Sequence, residues 1–135
     1  MSEAPGMLDR LRGQQEKYRR MVDLVTAQRS LFAAMDVDGI LGLIERKRCL
    51  LAEIDGIEAE LAPLKSDWVR VRAEFSADEG RAMDTLLDET RHVLEDLMRL
   101  EDEGRSLLKR RSEEDTQVVD GLLQRNRARG AYGAR

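Results

Sequence analysis

Few side chains in this 135-residue sequence could do chemistry. The single histidine, His92, follows Glu89 at the Glu-x-x-His spacing by which di-iron carboxylate bundles turn a carboxylate and an imidazole onto metal. Such a centre needs two of these motifs, and the sequence holds no second histidine. No metal site is therefore expected, and His92 is placed on a solvated face near Asp88, Glu89, Glu95 and Asp96. The single cysteine, Cys49, has no Cys or His close in sequence to activate it, which favours a small packed side chain over a nucleophile. It has no partner for an intramolecular disulfide. The glycines are dispersed, with no phosphate-binding loop after a strand. Paired acids are abundant, but 37% of the residues are charged, and solvated helix faces account for them. The chain is expected to be non-enzymatic, with no catalytic residues, no metal and no cofactor.

The elements that carry these residues read as helices. Over residues 36–75 the positions Ile40, Leu43, Lys47, Leu50, Ile54, Ile57, Leu61, Leu64, Trp68, Val71 and Phe75 step by 3 and 4 throughout, and only Lys47 is polar. That is one seam of an amphipathic helix, which Ile44 and Leu51 widen towards a second partner. Pro63 removes an amide donor at a cost of roughly 3 kcal/mol in a helix interior. The heptad keeps its phase through it, so a kink is expected rather than a break. Before this helix, Leu8, Leu11, Gln15, Tyr18, Val22, Val25, Arg29 and Phe32 keep the same steps, thickened by Met21, Leu24, Leu31 and Met35. Residues 35–39 make a short turn in which Asp36 or Asp38 can cap the second helix, so the first two helices are antiparallel neighbours.

The third helix opens on Ser76-Ala77-Asp78-Glu79, a Ser cap three residues before a Glu, with acids in the first turn where the helix dipole favours them. Its apolar face includes Met83, Leu86, Leu87, Thr90, Val93, Leu94, Leu97, Met98, Leu100, Leu107 and Leu108, with Gly104 inside it as a close-packing or soft point. Residues 109–117, KRRSEEDTQ, then carry no large apolar side chain. Apolar residues return as two i,i+4 pairs, Val118 with Leu122 and Val119 with Leu123, a detached face suited to a partner helix or to self-burial. The fold expected is all-α: a long antiparallel three-helix, coiled-coil-like bundle with helices at about 7–34, 37–75 and 77–124. Residues 1–6 are a disordered N-terminus, and 125–135 form a flexible basic tail.

The net charge of -4 conceals an acidic middle, with residues 76–108 at -6 and residues 109–135 at +3. The acidic body argues against nucleic acid as partner, although the tail could touch an anionic surface and Tyr132 could stack on a base. No stretch approaches the ~20 continuous apolar residues of a membrane-spanning helix, and no secretory signal is visible, so a cytoplasmic location without membrane insertion is expected.

Two patches resemble the FlgN family of flagellar export chaperones. One is Leu43, Ile44, Glu45, Arg46, Lys47, Arg48, Cys49, Leu50, Leu51, Ala52, Glu53 and Ile54, similar to the leucine-pair, lysine, leucine-pair, isoleucine pattern of the family's second helix. The other runs from Leu87 to Leu94 and on through Leu97, Leu100, Glu101, Leu107 and Leu108. The short Asp-containing turn and the closing Ala131, Tyr132 and Gly133 are also similar, while Pro63 and the polar stretch 109–117 depart from the pattern. The resemblance implies a cytoplasmic chaperone that holds hook-filament junction (hook-associated) proteins by their C-terminal helical region and delivers them to the flagellar export apparatus. On this basis Val118, Val119, Leu122, Leu123 and Tyr132 are the partner-binding residues. The alternative from pattern alone is a structural homo-oligomeric coiled-coil protein with no secretion client.

Overall fold

The computed structural model describes residues 3–133, except the side chains of Asp115, Val118, Val119 and residues 125–133. The first helix, α1, spans Ala4–Ala33 and so begins ahead of the Met7 start that apolar periodicity gives. Pro5 explains this, because its missing N–H falls in the first turn, where no intrahelical acceptor exists. Ala4 is fully buried, so the disordered start does not reach residue 6. At the other end, Met35 takes a left-handed φ of 52°. Its amide donates to the Phe32 carbonyl at 3.2 Å and the Asp36 amide to Leu31 at 3.1 Å, the two bonds of a Schellman motif built on methionine rather than glycine. Asp36, not Asp38, then caps α2, accepting from the Gly39 amide at 3.0 Å. A Cβ on Gly39 would lie 2.6 Å from Asp36 Oδ2 and 2.8 Å from Leu31 Cδ2, so a larger residue there would have to displace the capping carboxylate and the Leu31 side chain.

Helix α2 spans Val37–Ser66 and contains Pro63, and α3 spans Trp68–Ala73. The expected unbroken helix to Phe75 is therefore divided, and the division falls at Asp67 (φ -116°, ψ 37°) rather than at the proline. The Ser66 hydroxyl donates to the Pro63 carbonyl at 2.9 Å, competing for the acceptor that a continuing helix would offer the Asp67 amide. Asp67 starts again as N-cap, its carbonyl accepting from the Val71 amide at 3.1 Å. Arg70 braces the joint, bonding to Asp67, to Glu74 at 3.0 Å and to Glu3 at 3.1 Å. Helix α4, Ala77–Gly133, opens on the expected capping box: the Glu79 amide donates to Ser76 Oγ at 3.1 Å, and the Ser76 amide to Glu79 Oε1 at 3.0 Å.

The chain divides into two units, Met1–Glu101 and Asp102–Arg135. Among the described residues there is no strand, and helices of the first unit pack on one another in a helical bundle. One cluster joins Met7, Leu8 and Leu11 of α1 with Leu61 of α2, Val71 of α3, and Met83 and Leu86 of α4. A second joins Met21 and Val25 with Leu50 and Ile54, with Leu97 and Leu100 packed against it. Leu61 and Val71, on either side of the joint, are fully buried, and Trp68 meets Phe75 edge-on at 6.0 Å. The heptad phase thus survives the division of the helix. Polar ties between α1 and α2 run in order, Arg10 to Glu60 at 3.2 Å, Gln14 to Glu58 at 2.7 Å and Lys17 to Glu53 at 3.1 Å, the α2 number falling as the α1 number rises. Ile44 and Leu51, expected to widen the packed face, are about half exposed: only the seam columns beside them are covered. In the second unit, α4 runs past the expected end at 124 to Gly133. The side chains of the expected flexible tail lie outside the described residues.

The left-handed methionine gives a direct test of the turn. Met35→Gly should raise stability by about 1 kcal/mol, because glycine adopts that φ without steric cost. Asp36→Ala should lower it by about 1 kcal/mol through loss of the cap. Thermal melts of the two variants should therefore move in opposite directions, by roughly 3–5 °C each. Equal destabilisation by both would show that the turn is not built this way.

Candidate functional site

The residues considered for chemistry are dispersed over the surface. His92 is 63% exposed, with Nε2 3.6 Å from Asp88 and Nδ1 3.7 Å from Glu95 on its own helix, as its solvated-face placement requires. Among the described residues, no three His, Cys, Asp or Glu side chains are grouped so as to hold a metal ion. Cys49 corrects the expectation of a packed side chain. It is exposed, its thiol donating to Glu45 Oε1 at 3.8 Å, because it lies on the flank of the seam and not in it. It lines a shallow groove between α1 and α2 whose floor is Leu24 and Leu50 and whose rim is charged, with Arg20, Asp23, Arg46 and Glu53.

The expected partner-binding residues fall on α4 after Glu101. Leu122 is 52% and Leu123 49% exposed, and Leu108 is 46% exposed on the same helix. The side chains of Val118, Val119 and Tyr132 lie outside the described residues. A second apolar feature escaped sequence reasoning. Val37, Leu41, Ile44 and Leu51 are each at least half exposed and lie at heptad spacing on α2, with Arg48 at the intervening position. The signal was present as a second row one position beyond the buried seam, and that proximity made it resemble a widening of the core.

The body also carries polar contacts that periodicity hides. Lys47, the seam's one polar residue, donates to Glu101 on α4 at 2.7 Å. Gln15, buried on α1, donates to Thr90 Oγ1 at 3.0 Å, while the Thr90 hydroxyl donates to the Leu86 carbonyl at 2.8 Å. Among the described residues, no helix is long and apolar enough to cross a membrane. No family model, no curated protein and no solved structure matches this chain.

Perturbed titrations trace to ion pairs and packing rather than to a reacting centre. Arg48 holds the Glu45 carboxyl below its ordinary value, and Asp67, then Glu3, hold the Arg70 guanidinium above its own. Burial, with lesser contributions from Glu58 and Asp55, raises the Tyr18 phenol. Glu58 is the informative case: Lys65 first, then Gln14 of α1, lower its pKa from the ordinary 4.5. A carboxyl depressed by folding contributes stability above its unfolded pKa and loses that contribution as pH falls through its folded pKa. Acid titration of Glu58→Gln, followed by helical circular dichroism, should show a shallower loss of stability than the parent from pH 4.5 downwards. Identical slopes would mean that the Gln14–Glu58–Lys65 contact does not form in solution.

Proposed function

We propose that this protein is a cytoplasmic flagellar type III export chaperone of FlgN-like character, which binds the C-terminal helical region of hook-associated proteins and keeps them soluble and export-competent. Its body is an antiparallel three-helix, coiled-coil-like bundle in which α2 and α3 together act as the middle helix. The descending order of the α1–α2 polar ties supports that arrangement. The observation that carries the functional reading is the exposure of Leu108, Leu122 and Leu123 on α4 beyond Glu101. Exposed leucines at helical spacing suit an amphipathic client segment, which is unpaired before export and gains a helix partner by docking. The chaperone needs no cofactor and performs no covalent step. Covering the client's apolar face until transfer to the export apparatus is its whole chemistry.

The test is binding of the C-terminal segment of a hook-associated protein to the intact chain, measured by calorimetry. Replacing Val119 and Leu122 together by Asp should weaken binding by at least roughly a hundredfold, since two apolar contacts worth about 1.5–3 kcal/mol each are exchanged for charges. Undiminished binding by the double variant would move the site off α4. Absence of binding by the parent chain would remove the chaperone reading itself.

A further inference from the structure

Residues 109–117 and the positions flanking them on α4 make a self-complementary pattern. In α4 one row of positions runs from Glu101 to Arg125 in alternating steps of 3 and 4, continuing as a heptad beyond the first unit. The centre of the row holds Arg111 and Asp115, with Leu108 and Val118 on either side of them. Further out lie Gly104 and Leu122, and the ends are Glu101 and Arg125. Each residue therefore has its complement at the mirror position: basic with acidic, apolar with apolar, large with small.

We infer that a second copy of this chain packs antiparallel on this row, about a two-fold axis through position 113. Arg111 then faces position 115 of the second copy, Leu108 faces position 118, and Leu122 faces Gly104, which has no side chain. Every pairing occurs twice by symmetry. Other arrangements fail on charge or polarity. A parallel, in-register pair sets Arg111 on Arg111 and position 115 on itself. Sliding the antiparallel pair by one heptad sets Leu108 against Arg111 in one direction and against Arg125 in the other. Glu101 is already held by Lys47 at 2.7 Å, so the outermost pairing adds least. The exposure of Leu108 and Leu122 in the single chain is the surface that the second copy covers. Leu108 and Leu122 also serve the client reading, so a client segment would displace the second copy; the pairing is tested on the chain alone and would hold if that reading failed.

Sedimentation equilibrium of the full chain tests the inference. The parent should be a dimer. Arg111→Asp alone and Asp115→Arg alone should each raise the dissociation constant by about tenfold or more, and the combined exchange should return it to within roughly threefold of the parent. Circular dichroism confirms that the single variants keep their helices. A parent that stays monomeric, single variants that dimerise like the parent, or an exchange that fails to restore dimerisation would each overturn the proposal. A covalent readout fixes the register: with Cys49→Ser as background, Gly104→Cys combined with Leu122→Cys should oxidise to a linked dimer, and neither cysteine alone should. Linking by either single variant to the same extent would refute the register.

Discussion

The apolar phase that passes through Asp67 is the constraint on which the rest of the body depends. Pro63 costs roughly 3 kcal/mol in a helix interior, and the chain leaves helical geometry four residues later. Leu61 before the joint and Val71 after it are nonetheless fully buried in one cluster with residues of α1 and α4. Burial of two such side chains contributes about 1.5–3 kcal/mol each, comparable to the cost of the proline. A joint that kept the helix straight but rotated α3 would lose that burial. The observed joint gives up helical regularity and keeps the phase, with Arg70 tying Asp67, Glu74 and Glu3 together around it.

Apolar contact alone does not fix how helices slide along one another, because it has no direction. The polar contacts supply that register. Lys47 with Glu101 and Gln15 with Thr90 each join two elements at one position, and a slip of one turn would leave a half-buried or buried polar group without its bond. Beyond Glu101, Leu108, Leu122 and Leu123 of α4 are each about half exposed. The proposed client segment and the inferred second copy would both draw on these leucines.

Much of this was legible because it repeats. The seam from Leu43 to Phe75 follows from period alone, and the Ser76–Glu79 box from two residues at a fixed spacing. The division at Asp67 was not legible, since it turns on a hydroxyl competing for one carbonyl, which leaves no trace in an apolar pattern. The start at Ala4 was missed because a small residue and a proline do not register as an apolar period. Ile44, Leu51 and Cys49 were assigned to packed surroundings because they adjoin the seam, but adjacency does not say where a neighbouring helix ends its cover. Leu122 and Leu123, each read from the pattern as half of a detached i,i+4 pair, are about half exposed on α4.

Native-state hydrogen exchange tests the central claim, that one apolar seam unites the body across its interrupted helix. Amides around Leu61 and those of Val71 should exchange with similar, high protection and lose it together in denaturant, as members of one cooperative unit. Rapid exchange of residues 68–75 while residues 50–61 remain protected would contradict the account, because α3 would then be a loosely attached turn and not the continuation of the seam.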